Sequence, residues 1–275
     1  MEVVISTHLP AAELESHALA LRQARQRRQS IEPLTDRLAD LSVSDAYAIA
    51  SLNVQARLMR GARLVGHKIG LTAPAVQAQL GVDQPDYGSL LDEMGVANGA
   101  VIDAGAYIAP RIELEIAFIL STDLRGPGVA AADVPAATGS VHAAFELVDS
   151  RIRDWRIRLA DTIADAASSA AFVLNDTGAA PDELDLADLD AALSQDGELI
   201  ESGHSSAVLG DPCAAVAWLA NALAEQGEQL RAGQVVLSGA CTKMVPVRAG
   251  QRYSGTITGL GEVALTCAPA SESAS

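Results

Sequence analysis

The stretch RIELEIAFIL, residues 111–120, decides the fold. Ile112, Leu114, Ile116 and Phe118 alternate with other residues at the period of two that marks a strand with one face on a core. On the opposite face stand Glu113 and Glu115, like charges about 7 Å apart at the rise of a strand. Either that face looks at water and the acids keep it soluble, or a positive group sits in front of them.

A second stretch, VHAAFELVD at 141–149, raises the same question, because Glu146 lies between Phe145 and Leu147. A polar group in a buried strand is costly unless it is neutralised or paired. Three carboxylates converging from two neighbouring strands would make an oxygen-only site, which suits a hard divalent ion, Mg2+ or Mn2+, with positions left for water or substrate.

Further from these strands the pattern changes. Residues 10–30 read as an amphipathic helix. Residues 44–60 read as another, opened by Ser42 or Ser44, with Ile49, Leu52, Ala56 and Met59 on one stripe. ARLVGHKIG (62–70) follows as a short strand, then a helix in which Thr72 can cap, Pro74 fits the first turn and Gly81 can terminate. Past residue 100 strands dominate, among them AAFVLN, QVVLSGA and a closing hairpin turning at Gly259-Leu260-Gly261. The clearest late helix spans 211–226, with Asp211 as cap and Pro212 in the first turn. The expected class is α+β: a helical N-terminal region (1–75), a mainly β domain (76–268) and a frayed tail (269–275).

Composition narrows the function. With 49% apolar and 20% charged residues over 275 positions, the chain is a folded one with a sizeable core. A formal charge of −16, from 35 acids against 19 lysines and arginines, repels polyanions, so no nucleic acid partner is expected. The basic group Arg22, Arg25, Arg27 and Arg28 reads as a solvated helix face. Cys213, Cys241 and Cys267 fit no zinc or redox spacing and sit in apolar contexts, which points to a reducing cytoplasm. No apolar run approaches the roughly 18 residues needed to cross a bilayer, and MEVVISTHLP has no signal-peptide pattern, so no membrane association is expected. P-loop, dinucleotide fingerprint, nucleophile elbow and paired histidines are all missing.

Seven ordered blocks carry a family resemblance: GHKIGLT (66–72), QPDYGSLLDEM (84–94), PRIELEIAF (110–118), FELVDSRIRDW (145–155), DTIADAASS (161–169), VLGDPCAAVAWLANAL (208–223) and SGACTKMVPVRAGQRY (238–253). Together they resemble the 2-hydroxypenta-2,4-dienoate hydratases, or 2-keto-4-pentenoate hydratases, of the fumarylacetoacetate hydrolase superfamily, from about residue 40 to residue 267. The resemblance implies that Glu113, Glu115 and Glu146 bind the metal, that Lys68 is the active-site lysine and that Asp86 lies near the reacting carbons. It also implies a homo-oligomer and a role in aromatic or steroid ring degradation, in which a neighbouring pathway enzyme could be a partner. A substrate carboxylate with its neighbouring 2-oxygen forms a bidentate chelate for a dication. Three carboxylates and one dication sum to one negative charge, and Lys68 would offset it.

Other side chains have plainer readings. On a strand His67 points away from Lys68. Ser168, Ser169 and Ser238 read as structural, and Trp155 and Trp218 as core. Departures from the family fall outside the ligand set: Ala166 stands where relatives often carry Asn, His204 and Asp211 occupy variable positions, and Lys243 replaces a small or apolar residue. They leave open a longer substrate tail, such as a hexadienoate. The sister 4-oxalocrotonate decarboxylases share most blocks and are the first alternative, although SRIRDW followed by DTIADAAS looks closer to the hydratases. A non-catalytic partner subunit of a decarboxylase complex is the second, but such a subunit would have no physical need for three clustered acids and a lysine.

Overall fold

The computed structural model describes residues 7–80, 82 and 84–270. Gly81 and the end of the expected tail, 271–275, lie outside them.

The large sheet runs, in spatial order, β2 (Asp86–Leu91), β1 (Leu64–Gly70), β10 (Val235–Ala240), β5 (Arg111–Leu120), β6 (Thr138–Val148), β7 (Ser169–Leu174) and β3 (Gly95–Val96), with β11 (Val245–Pro246) on the end of β5. A small sheet orders β4 (Val101–Ile102), β13 (Gly261–Cys267), β12 (Arg252–Ile257), β8 (Asp190–Gln195) and β9 (Glu198–His204). The β12–β13 hairpin turns where the glycines require it, with Gly259 at φ 77° and Gly261 at φ 83°. Strand β1, inside the segment read as the helical N-terminal region, lies one strand in from the edge of the large sheet, parallel to β10 and antiparallel to the edge strand β2.

The period of two in β5 places its faces as expected. Ile112, Leu114, Ile116 and Phe118 are fully buried in the main core with Phe145, Tyr253, Val263 and Leu265, so this face packs on the small sheet. The long helix α6 (Pro212–Glu225) buries Val216, Leu219 and Leu223 in the same core. The other face of the large sheet carries Ala117, Ala144 and Leu237 in a separate apolar cluster, against which Val54 of α2 packs. Glu113, Glu115 and Glu146 share that face in register with them.

Three helices form a layer of their own. In α1 (Ala11–Arg27) the buried residues Leu14, Ala18, Leu21 and Ala24 recur at helical spacing. In α2 (Val43–Leu58) Ser42, not Ser44, is the cap, accepting a hydrogen bond from the Asp45 backbone. Both pack with Ile163 and Ala164 of α5 (Leu159–Ala164). The remaining helices, α3 (Pro74–Leu80) and α4 (Val134–Ala137), are short.

Several expectations are corrected. Met59 is 82% exposed, because it lies past the last turn of α2; the buried residues of that helix are Asp45, Ala46, Ile49 and Ala50. Of the two tryptophans read as core, Trp155 lies outside it and Trp218 packs on the rim of the main core. Trp155 is half-buried beneath the Arg111 guanidinium, 4.6 Å from the ring centre, and Trp218 is half-buried edge-on to Tyr87. The arginine group is not uniformly free, since Arg22 bonds Asn53 and Glu15 and Arg28 donates to the Gly105 carbonyl, while Arg25 and Arg27 are exposed. One segment, Ser205–Glu225, does meet the length and hydropathy of a membrane span, yet half of its apolar window is buried against the sheet, as in a core helix.

Candidate active site

Across the β5–β6 ladder Glu113 stands directly opposite Glu146. Like charges in directly opposed positions destabilise a sheet. Glu115 is two residues along, and one carboxylate oxygen from each of the three glutamates lies within 4.8 Å of the others. Glu115 and Glu146 are buried, Glu113 half-buried. Glu115 Oε2 accepts the Gly239 amide at 2.8 Å, an amide presented by the bulge in β10, while Glu115 Oε1 and both oxygens of Glu146 have no hydrogen-bond donor. Orphaned carboxylate oxygens in a dry site mark a place for a cation.

The positive charge at this cluster is Lys68. From β1 its Nζ reaches across β10 and β5 to 3.1 Å from Glu146 Oε2, close enough for an ion pair but not aligned as a hydrogen bond. Lys68 is 3% exposed. Burial alone would lower its pKa, but Glu146 foremost, then Asp86, Glu113 and Glu115, outweigh burial and hold it protonated. Burial raises all three glutamates: Glu146 is pushed up to about 7, and Glu115, with Glu146 and Glu113 beside it, well above the usual range. A dication would reverse that tendency.

Asp86, at the start of β2, is 1% exposed. Thr162 on α5 donates to its Oδ2 at 3.1 Å, and its Oδ1 has no partner. Burial raises its pKa despite the attraction of Lys68. Asp86 pairs with Gly70 in the β1–β2 ladder, and a Cβ on Gly70 would lie 2.2 Å from Asp86 Oδ1 and 3.3 Å from Lys68 Nζ. A side chain at position 70 would therefore occupy the space between the two groups.

All five residues singled out in the sequence thus converge on one face of the large sheet. His67 does not join them. It is buried edge-on to Tyr87, and burial lowers its pKa to about 4. Ser168 bonds Asp165, the structural role expected, whereas Ser169 and Ser238 have buried hydroxyls without partners, and Ser169 lies beside Glu146. Thr162, Gly70 and the Gly239 amide were not singled out, because their roles arise from contacts between strands and helices far apart in the chain. Their only signal was membership of the blocks DTIADAASS, GHKIGLT and SGACTKMVPV.

Residues 72–267 match the fumarylacetoacetate (FAA) hydrolase C-terminal family. The chain belongs to the fumarylacetoacetate hydrolase family. Within it, the chain is 45% identical over 250 residues to a 2-keto-4-pentenoate hydratase of Paraburkholderia phymatum, covering 91% of this chain and 95% of that one. It is 44% identical to a 2-hydroxyhexa-2,4-dienoate hydratase of Comamonas testosteroni, covering 90% and 95%. Among solved structures, the 4-oxalocrotonate decarboxylase of Pseudomonas putida G7, complexed with magnesium and adipate, superposes with a TM-score of 0.92 at 35% identity, over 95% of this chain and 100% of that one. The magnesium in that fumarylacetoacetate hydrolase relative and the all-oxygen donor set here both support a divalent metal.

Proposed function

We propose that this chain is a divalent-metal-dependent hydro-lyase that adds water to 2-hydroxypenta-2,4-dienoate, or a longer-tailed analogue, to give the 4-hydroxy-2-oxo acid. The observation that carries the reading is the gathering of Glu113, Glu115 and Glu146 within 4.8 Å, with Lys68 at 3.1 Å from Glu146. The three glutamates would hold Mg2+ or Mn2+, which supplies Lewis-acid polarisation of the substrate's 2-oxygen when bound.

In the reaction, the enol proton leaves the 2-oxygen and a proton is added at C5, giving the conjugated 2-oxo-3-enoate. The hydroxyl of water then bonds to C4 and a proton is added at C3. Lys68 offsets the excess negative charge of the glutamates and of the incoming carboxylate, so that an anion can enter a site built of acids. Asp86, held through Oδ2 by Thr162, keeps Oδ1 free, and with Lys68 it is the group assigned to hold and move protons. Burial, which raises Asp86, suits it to carry a proton nearer neutrality than a solvated aspartate does.

Identities of 44–45% to hydratases over nine-tenths of the chain favour hydration over decarboxylation, for which the structural relative is 35% identical. The decarboxylase reading retains support from the TM-score of 0.92. Incubation of the protein and Mg2+ with 2-hydroxypentadienoate and, separately, with 2-oxohex-3-enedioate separates the two. Loss of dienol absorbance without carbon dioxide release is the result expected, abolished by Lys68→Ala. Carbon dioxide from the diacid would assign decarboxylation instead. Absence of turnover, with co-purification of a decarboxylase, would indicate a non-catalytic partner. The protein is expected to be cytoplasmic and homo-oligomeric, which light scattering during size-exclusion chromatography tests.

A further inference from the structure

The glutamate face of β5 becomes more open in one direction. On it Ala117 and Glu115 are buried, Glu113 is half-buried and, one pleat further on, Arg111 is half-buried too. Residues two apart on a strand share a face about 7 Å apart, so Arg111 stands beside the most exposed of the three glutamates, on the side from which a solute reaches the cluster. Its ladder partners, Val148 on β6 and Pro246 on β11, carry no charge. The guanidinium makes no ion pair and no hydrogen bond among the described residues, which leaves its N–H donors free.

Arg111 is nonetheless held in place. It lies over the Trp155 ring, 4.6 Å from the ring centre. The indole is fixed in turn, since its Nε1 donates to the Ala109 carbonyl at 3.2 Å, and Asp154 and Trp155 both adopt left-handed φ values, 55° and 56°. Non-glycine residues disfavour that conformation, so the ring is seated under the guanidinium against backbone strain. An anion approaching this chain of formal charge −16 meets three carboxylates, and Lys68, 3% exposed and surrounded by Glu146, Asp86, Glu113 and Glu115, projects little charge outward. A fixed cation at the rim of a dry cleft focuses the field that an incoming anion feels. Lys243 is the rival cation, exposed on the loop between Ala240, opposite Glu115, and Val245, opposite Ile112.

We propose that Arg111, clamped on Trp155, recruits the carboxylate of the incoming substrate to the glutamate site. The inference rests on the reading of that cluster as a 2-oxo acid site, and it concerns entry of the anion rather than the substrate's tail. The test follows dienol hydration by the full chain with Mg2+ at stepped ionic strength, and titrates Mn2+ and then oxalate by calorimetry. Expected is a wild-type kcat/KM that falls as salt rises, and in Arg111→Gln a value about tenfold lower at low salt, with a flatter salt slope and kcat little changed. Arg111→Lys restores most of kcat/KM, which loss of a structural contact alone would not allow, and Lys243→Gln keeps the wild-type slope. In calorimetry Arg111→Gln takes up Mn2+ about threefold more tightly, because a repelling charge near the ligands has gone, and then binds oxalate about threefold more weakly. Unchanged kcat/KM and oxalate affinity in Arg111→Gln, or a salt slope that Lys243→Gln removes instead, overturns the proposal while leaving the 2-oxo acid site standing. A wild type that neither turns over dienol nor binds oxalate overturns that site and this inference together.

Discussion

Gly70 shows how one missing side chain leaves room for two residues of the proposed site, Asp86 and Lys68. With a Cβ 2.2 Å from Asp86 Oδ1, Gly70→Ala forces Asp86 away from Lys68. If Asp86 moves protons as proposed, displacing it by about 1 Å can cost on the order of 100-fold in rate. Gly70→Ala is therefore expected to lose at least tenfold in dienol hydration while melting close to the wild type, as read by steady-state assay and circular dichroism. His67, next to Lys68 but on the other face, affects stability instead. Its folded pKa of about 4 lies below its ordinary value of 6.5, so between those values the unfolded chain takes up a proton that the folded one refuses. Stability attributable to His67 is full above about pH 6.5 and is lost as pH falls toward about 4, by on the order of 3 kcal/mol. His67→Gln should flatten this acid slope in urea melts at stepped pH, and an unchanged slope would refute the assignment.

Among the elements, the turn Ala166–Ser168 is the most strained. Three consecutive non-glycine residues adopt left-handed φ values of 53°, 52° and 55°. Such a residue costs about 1 kcal/mol or more, and asparagine tolerates the region better than alanine. The Arg151–Asp165 pair and the packing of Ala166 on Gly88 hold the turn in place, next to Ser169 and the glutamates. Ala166→Asn, the residue common in relatives, is expected to raise stability by about 0.5–1 kcal/mol in denaturant melts. Equal or lower stability would show that the strain is relieved elsewhere. Strand β5 illustrates the converse case. Its alternation is legible in one dimension because the pleat alone sends Ile112, Leu114, Ile116 and Phe118 to the core and the two glutamates to the other face.

For the molecule as a whole, the glutamate cluster is a built-in penalty in the absence of a cation. Glu113 and Glu146 face each other across a ladder in a dry site, and burial with like charge raises both. Glu113→Gln is expected to melt higher than the wild type in chelator, by a few degrees for each kcal/mol of relieved repulsion. The wild type should gain stability on adding Mg2+ or Mn2+, and the variant little or none. Thermal melts in chelator and in metal read both arms, and an equal metal response in the two proteins would remove Glu113 from the ligand set.

The sequence by itself determined the strand pattern, the helix cap at Asp211, the closing hairpin, and, through seven ordered blocks, the family and its five candidate site residues, while the choice of Ser42 over Ser44 waited for the structure. Those features are local, or they survive as residue identity. Only the tertiary structure decided that Glu113 stands opposite Glu146, that Lys68 reaches them across two strands, that Thr162 holds Asp86, and that Trp155 seats the Arg111 guanidinium. Strand register and helix packing join positions tens to more than a hundred residues apart, and no spacing along a single chain encodes those distances.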